Sequence, residues 1–250
     1  MTARARVIVF CVGAVVLAVG LVAAVGGLPS FGHYPGPYGP VVVNQAMPSR
    51  HADNAVTTVV MDVRGVDTAG EELLLYAATV GVLMLLRKLR REQGEDPPAS
   101  VDDAEAFASS APVALTSAAL VAPMTLLALY VIGHGQITPG GGFQGGVILV
   151  APSVLLFLAE RRRRFDWLHR PPGWETVQAV AVCAFLAFGF VPLVAGKAFL
   201  ENALPYGVTG TVFSAGTIEL LNVVAGVGVA TSVVLLAVMF VRQIGGLSSK

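Results

Sequence analysis

Residues 112–159 read "PVALTSAALVAPMTLLALYVIGHGQITPGGGFQGGVILVAPSVLLFLA", two apolar runs joined by a short segment rich in glycine. A membrane-spanning helix needs about 20 apolar residues to cross a hydrocarbon core of about 30 Å. The runs at 112–133 and 143–159 are close to that length. They predict two membrane helices connected by the glycine segment.

The composition of the whole chain is typical of a membrane protein. Of its 250 residues, 55% are hydrophobic and 13% are charged, and the mean hydropathy is +0.73. Soluble domains carry about 25% charged residues. The formal net charge is zero, and the arginines form short clusters beside apolar runs rather than a broad basic face, which argues against nucleic acid as a partner.

Four further apolar runs, at about 7–28, 69–87, 174–196 and 217–241, bring the predicted number of spans to six. The first run follows Arg4 and could be a cleaved signal peptide. Its apolar part is longer than that of a usual signal peptide, so a retained span is favoured. The predicted fold is an all-α integral membrane protein with about six transmembrane helices.

The basic residues predict the orientation of these spans. With six spans and a cytoplasmic N-terminus, the C-terminus is also cytoplasmic, and 13 of the 16 Lys and Arg residues fall in cytoplasmic segments. This asymmetry follows the positive-inside rule. The three residues outside are Arg50, Arg64 and Lys197, and those inside are Arg4, Arg6, Arg87, Lys88, Arg90, Arg91, Arg161, Arg162, Arg163, Arg164, Arg170, Arg242 and Lys250.

A polar segment divides the chain into two parts. Residues 88–111 are acidic after a basic start and contain two prolines, which is typical of an exposed cytoplasmic linker. The linker separates a two-helix unit at 1–87 from a four-helix unit at 112–250. On the outer side, residues 29–52 are rich in Pro and Gly and predict irregular backbone with interfacial aromatic residues such as Tyr38.

Acidic residues interrupt the apolar pattern at the start of the second run. If Arg87 marks the cytoplasmic edge of that span, Glu71 falls inside the hydrocarbon region. An ionisable group there is costly and usually faces the bundle interior or a wet cavity. Asp67 lies four residues before Glu71, so both share one helix face. Such a pair is suited to exchanging protons or to binding Na⁺ transiently, and Asp62 with Arg64 could supply a balancing ion pair.

A second interpretation of these residues stays open. Asp67 or Thr68 could cap the helix, and Glu71 and Glu72 could complement the positive end of the helix dipole at a wet interface. No permanently bound metal is predicted under either interpretation.

The glycine segment cannot be an uninterrupted helix, because each glycine inside a helix costs around 1 kcal/mol relative to alanine. Thr138 and Pro139 look like an N-cap and a first helical position. The small residues after them either allow close packing against another subunit or open a broken helix start onto an ion or water route. The residues concerned are Pro139, Gly140, Gly141, Gly142, Phe143, Gly145 and Gly146.

Two more ionisable residues are candidates for an ion route. His134 ends the third run, and a histidine there can relay protons, although histidines at helix ends are commonly interfacial. Glu219 stands near the start of the last run. It either caps that helix or faces one neighbour together with Asn222, three residues further on.

Motifs for enzymatic chemistry are absent from the sequence. There is no nucleophile triad, no H-E-x-x-H metal motif and no cofactor fingerprint. Cys11 and Cys183 lie inside apolar runs without metal-ligand spacing. We expect a chain that binds no cofactor and is not an enzyme in its own right.

The motifs resemble those of a known family. "GHGQITPGGGFQGGVILVAP" (133–152) and "GTIELLNVVAGVGVA" (216–230) resemble the B subunit of the multisubunit Mrp-type sodium/proton antiporters, a domain also used in membrane-bound hydrogenases. The likeness covers about 112–243. "GLPSFGHYPGPYG" (27–39) and "VTTVVMDVRGVDTAGEELLLYAATVGVLMLLR" (56–87) are similar to the C-terminal extension of the A subunit, which corresponds to a small separate hydrogenase subunit.

The resemblance implies roles for particular residues. Val63 and Val66 replace two aromatic residues of the family's acidic motif, and Glu219 stands where the family commonly has proline, which implies a subgroup difference in ion handling. Asp67 and Glu71 are implied to be functional. The family's motif D-[FY]-R-G-[FY]-D-T-x-G-E falls on Asp62, Arg64, Gly65, Asp67, Thr68, Gly70 and Glu71.

The resemblance also implies a multisubunit complex in the plasma membrane that exchanges Na⁺ for protons. The implied partners are other hydrophobic subunits, large A- and D-type and small C-, E-, F- and G-type, together with lipid, protons and sodium. Two alternatives stay open. One is a membrane-arm subunit of a hydrogenase-like or complex I-like redox assembly, and the other is a scaffold subunit that conducts no ions.

Overall fold

The computed structural model describes residues 3–28, 36–92, 111–160 and 173–245. Within these ranges every regular element is a helix and no strand occurs, so the all-α prediction is confirmed. In chain order the elements are α1 (Ala3–Gly26), α2 (Tyr38–Val41), α3 (Met47–Ser49), α4 (Ala55–Thr58), α5 (Gly65–Glu92), α6 (Ala111–Gly133), α7 (Gly142–Glu160), α8 (Trp174–Val194) and α9 (Thr217–Gly245), with π-helical turns at Val42–Ala46 and Val59–Val63.

Each of the six predicted apolar runs is helical. Within the described ranges, four helices are long and apolar enough to cross a membrane: Gly65–Leu86, Ala111–Gly133, Trp174–Val194 and Thr217–Phe240. Shorter apolar stretches lie in α1 and α7. The number of six spans and the cytoplasmic position of both termini remain predictions.

The chain divides into two compact units, residues 1–39 and 40–250. The helix α1 belongs to the first unit, and its large apolar side chains are all exposed, as at Phe10, which is 75% exposed. A helix that is apolar on all sides must be covered by lipid or by another protein surface.

In the second unit, α9 lies at the centre and packs against α5, α6, α7 and α8. Its buried face includes Leu221 and Ala225, which join Met61 and Phe185 in one apolar cluster. Small residues on this helix allow its neighbours to approach closely, since a glycine places no side chain between two backbones. The candidate site forms where α9 meets the starts of α5 and α7.

Two predicted irregular segments are partly helical. Residues 38–49 form α2, a π-helical turn and α3, because Pro40 and Pro48 stand in first helical turns, where a missing N–H costs nothing. The helix α5 runs on to Glu92 and includes the first residues of the predicted linker, whose bounds remain a prediction. Residues 93–110 of that linker lie outside the described part of the chain, as do His33 and the arginines at 161–164.

The segment between α8 and α9 folds back over the start of α5. Leu200 is buried, at 2% exposed, with a positive φ of 63°, and its N–H donates to the carbonyl oxygen of Gly189 at 3.1 Å. Phe199 packs on Gly189, where a Cβ would lie 2.4 Å from its ring. No sequence motif predicts this segment, and its Leu200 contacts Gly65 at the start of α5.

Candidate functional site

One side chain ties the start of the acidic segment to the glycine segment. The side-chain oxygen of Asn54 accepts from the N–H groups of Val56, at 3.0 Å, and Thr57, at 3.4 Å, and so caps α4. Its amide nitrogen donates to the carbonyl oxygens of Gly135, at 2.7 Å, and Thr138, at 2.9 Å. Asn54 is 9% exposed, and a fully bonded side chain of this kind holds the two segments in register.

The helix α5 begins at Gly65, earlier than the sequence predicted. A Cβ at this position would lie 2.9 Å from Cδ1 of Leu200, so the close approach of the folded-back segment favours glycine. Thr68 donates its hydroxyl to the carbonyl oxygen of Val60 at 2.5 Å. The interpretation of Asp67 or Thr68 as the helix cap is therefore wrong, because both residues lie inside the first turn.

The helix α7 begins at Gly142, so Thr138 and Pro139 do not start it as predicted. Gly140 and Gly141 intervene with φ of 147° and 148°, a region that only glycine adopts readily. The missing cap comes from another helix, since the side-chain oxygen of Asn222 on α9 accepts from the N–H of Gly142 at 3.0 Å.

The remaining glycines of the segment face helices of the same chain. A Cβ at Gly142 would lie 2.4 Å from the carbonyl oxygen of Asn222, and one at Gly146 would lie 2.7 Å from that of Gly226. On another side of α7, a Cβ at Gly145 would lie 3.0 Å from the carbonyl oxygen of Ala128 on α6. These glycines hold α7 between α6 and α9.

A cavity of about 240 Å³ forms where these segments meet. It places Glu71 beside the first glycines of α7 and beside several side chains with polar atoms. Oxygen atoms of carboxylate, hydroxyl, amide and backbone carbonyl groups are the ligands that hard cations take. The lining residues are Val56, Thr57, Val60, Met61, Thr68, Glu71, Gly140, Gly141, Gly142, Phe143, Gln144 and Asn222.

The other residues of the acidic motif form ion pairs away from this cavity. Asp67 is about half exposed and pairs with Arg64. Asp62 has a buried side chain, 7% exposed, and pairs with Arg50. The predicted pair between Asp62 and Arg64 is not formed, because the chain turns at Arg64 and gives each residue a different partner. In the described ranges no cluster of three or more His, Cys, Asp or Glu side chains could hold a metal ion.

The ion pair of Arg50 borders a second recess, of about 440 Å³, beside the segment between α8 and α9. Burial lowers the pKa of Arg50, but the hydrogen bond and negative charge of Asp62 outweigh it and leave the pKa raised. Burial also raises the pKa of the Tyr206 phenol. Lys197 and Glu201 form an i, i+4 ion pair at this recess, with 3.8 Å between Nζ and Oε1.

His134 and Glu219 do not line the Glu71 cavity. The ring of His134 stacks on Tyr130 with 4.2 Å between centroids. Glu219 accepts from the N–H of Ala215 at 2.6 Å, which is the capping geometry that the sequence left open. Asn222 and Glu219 therefore do not face the same neighbour.

Sequence reasoning missed the carboxyl that the structure buries most deeply. Glu72 is 3% exposed and belongs to a stripe of buried polar residues on α5 with Thr68 and Thr79. The spacing of four and then seven residues places all three on one helix face. That spacing could have identified Glu72 from the sequence. Instead, Glu72 was interpreted together with its exposed neighbour Glu71 as complementing the helix dipole.

Comparison with protein families decides the relationship. A family model described as a domain related to the MnhB subunit of Na⁺/H⁺ antiporter matches residues 112–239. That range is just over half of the chain. The chain belongs to this family. The resemblance seen in the glycine segment and in the start of the last run is confirmed.

Two solved structures share the fold of this MnhB-family chain. A chain of the membrane-bound sulfane sulfur reductase, an archaeal respiratory membrane complex, superposes with a TM-score of 0.70 at 25% identity, covering 94% of this chain and 98% of that one. A chain of the Mrp complex from Dietzia sp. DQ12-45-1b superposes with a TM-score of 0.66 at 24% identity, covering 96% of this chain and 26% of that one.

A relative in Methanocaldococcus jannaschii, an uncharacterised protein, is 26% identical over 202 residues, which cover 74% of this chain and 77% of the relative. Both solved structures are of complexes, and the first is described as a respiratory membrane complex. The MnhB-family chain is thus a membrane subunit of a multisubunit complex of the antiporter type, with other membrane subunits as partners.

Proposed function

We propose that this chain takes part in Na⁺/H⁺ exchange by an Mrp-type complex in the plasma membrane, and that Glu71 supplies a cation-binding carboxylate. The single observation that carries the proposal is the cavity that joins Glu71 to the glycine segment and to Asn222. The acidic motif and the glycine motif lie about 70 residues apart in sequence, yet they line one space.

The chemistry of this cavity suits a monovalent cation. Glu71 offers negative charge, and the hydroxyls of Thr57 and Thr68 with the amides of Gln144 and Asn222 offer neutral oxygens. A carboxylate in such a place binds either a proton or Na⁺, so occupancy by one excludes the other. Flow of protons down their gradient, worth about 2.3 kcal/mol per charge for each 100 mV of membrane potential, then drives release of sodium.

Asp67 has a different part in this proposal. It is four residues before Glu71, about 6 Å nearer to the start of α5, and it is about half exposed beside Arg64. We assign Asp67 to the mouth of the route, where it attracts cations, and Asp62 with Arg50 to the stability of the turn before α5. His134 and Glu219 are secondary candidates, since neither lines the cavity.

The proposed domain boundaries and partner subunits follow from how this chain aligns with the family and with a longer chain. Residues 1–111 precede the family match, and this chain aligns with about a quarter of a much longer chain in the Mrp complex. That coverage supports our proposal that 1–87 corresponds to the end of an A-type subunit, followed by a linker and a B-type domain at 112–250. The proposed partners are large A- and D-type and small C-, E-, F- and G-type subunits.

The test is sodium-driven proton movement in vesicles that contain the purified complex. We expect Glu71→Gln to lower the exchange rate at least about tenfold, because the amide keeps the size of the side chain but loses the charge that binds the cation. Asp67→Asn is expected to weaken the apparent affinity for sodium more than the maximal rate. Internal pH is followed with a fluorescent dye during a sodium pulse.

Glu201→Gln is the matched control. Glu201 is also an acidic residue, but its ion pair with Lys197 is about half exposed, and such pairs contribute little. Exchange at the wild-type rate is expected for this variant. Wild-type exchange by Glu71→Gln in a correctly assembled complex would overturn the proposal.

A redox assembly is the second candidate function. The match to the sulfane sulfur reductase structure covers 98% of that chain, and its TM-score of 0.70 is higher than the 0.66 of the Mrp structure. The sulfane sulfur reductase complex is respiratory. Purification of the native complex decides between the two. Iron–sulfur subunits that co-purify with this chain would favour the redox assembly, whereas a set of membrane subunits alone would favour the antiporter.

A further inference from the structure

Glu72 is a second carboxyl with surroundings unlike those of Glu71. Among the acidic residues whose side chains the structure describes, it is the most enclosed, at 3% exposed. Its Oε1 is buried and has no hydrogen-bond partner. One residue along a helix corresponds to a rotation of about 100°, so Glu71 lines the cavity while Glu72 points into the helix bundle.

The carboxyl occupies space that a glycine leaves open on α9. A Cβ at Gly228 would lie 2.7 Å from Oε2 of Glu72 and 3.7 Å from Cβ of Ala181 on α8. The side chain of Glu72 therefore ends where α5, α8 and α9 meet. A larger residue at position 228 would displace the carboxyl.

The groups that the structure places at this carboxyl do not complete a cation site. The hydroxyl of Ser232, four residues after Gly228 on the same face of α9, donates to the carbonyl oxygen of Gly228 at 2.7 Å and accepts from Nε2 of Gln178 at 2.6 Å, so its oxygen already has partners in both directions. Ala181 and Gly228 carry no charge, and Glu71 on α5 is the charged group that acts on Glu72. A sodium ion needs several oxygens around it, whereas a proton needs one. A buried, unpaired carboxylate is costly, and a bound proton removes that cost.

We propose that Glu72 is a proton-binding site inside the helix bundle, separate from the cavity of Glu71 and facing Gly228. Its role in transport rests on the proposed exchange function. In that function the proton would bind the carboxyl of Glu72, and the cation would bind the carboxyl of Glu71. The binding of the proton itself can be tested without any transport measurement.

The test is labelling of the assembled complex with dicyclohexylcarbodiimide, which dissolves in the membrane and reacts with protonated carboxyls. The carboxylic O–H adds across one C=N bond of the reagent, and the adduct rearranges to an N-acylurea without losing an atom. A labelled peptide therefore gains the mass of one reagent molecule. We expect the label on Glu72, with a yield at least about tenfold higher near pH 6 than near pH 9, as protonation of a carboxyl requires.

Three variants assign the label. Glu72→Gln is expected to abolish it, and Glu71→Gln, the adjacent carboxyl, is expected to leave it in place. Gly228→Leu, which fills the space at the carboxyl, is expected to reduce the yield on Glu72. Absence of label on Glu72 near pH 6, or a yield on Glu72 that does not change with pH, would overturn the proposal.

The result separates this proposal from the exchange function. If Glu71→Gln exchanges sodium normally while Glu72 is labelled as expected, the cation proposal fails and the proton site stands. If Glu71→Gln loses exchange while Glu72 is never labelled, the proton site fails and the cation proposal stands.

Discussion

Asn222 is the residue that connects the two motifs of the cavity. It is fully buried, its side-chain oxygen accepts from the N–H of Gly142, and it lines the space next to Glu71. The free N–H groups at a helix start need acceptors. No residue of the glycine segment provides one, since glycines precede Gly142, and a side chain from α9 takes that place.

We expect Asn222→Ala to destabilise the chain by about 1–3 kcal/mol, because the N–H of Gly142 loses its partner in a buried place. Asn222→Asp keeps an acceptor at the helix start and is expected to cost less. Thermal unfolding of the purified complex, followed by intrinsic fluorescence, measures both variants. Equal midpoints for the alanine and aspartate variants would contradict the capping role.

At the scale of elements, the position of α7 depends on which of its faces lacks side chains. Gly142 and Gly146 allow α9 to approach closely, and Gly145 allows α6 to do so. At each of these glycines, a backbone atom of the neighbouring helix lies within 3.0 Å of the position that a Cβ would take. Helices in a membrane gain little from hydrophobic burial against one another, so close packing of small residues is what holds them together. The cavity keeps its shape because α7 is held from two sides.

We expect Gly146→Ala to destabilise the bundle by about 1–3 kcal/mol, because its methyl group would lie 2.7 Å from the carbonyl oxygen of Gly226 and overpacking has costs of this size. Gly133→Ala is the matched control, since Gly133 is a helical residue with no atom within 4 Å of its Cβ position. There the substitution should raise stability slightly, through helix propensity.

The same thermal unfolding measurement compares the two glycine variants. A lower midpoint for Gly146→Ala than for Gly133→Ala is the expected order. The reverse order would show that α7 does not depend on contact with α9 at this position.

At the scale of the molecule, much of the surface is apolar. Large hydrophobic residues are exposed along α1 and on α6, where Leu115 is 73% exposed and Leu126 is 67% exposed. A soluble protein rarely exposes continuous apolar faces of this size. We expect lipid and other membrane subunits to cover these faces.

The predicted topology places the segment between α8 and α9 outside and the polar linker inside the cell. We expect a membrane-impermeant maleimide to label Val208→Cys on intact cells, since Val208 is 74% exposed, and to label Ser100→Cys only after permeabilisation. Both variants are made in a chain with Cys11 and Cys183 replaced by alanine. Labelling of Ser100→Cys on intact cells would contradict the orientation taken from the basic residues.

The sequence by itself determined the membrane class, the six helical runs and the family, because hydropathy, helix length and the glycine motif depend on residues near one another in the chain. It also named both motifs of the cavity. Only the tertiary structure decided how they meet. The cap of α7 comes from Asn222, Leu200 packs against Gly65 at the start of α5, and Glu72 rather than Glu71 is buried against Gly228. These contacts join residues distant in sequence, and helical periodicity carries no information about which helix lies opposite a given face.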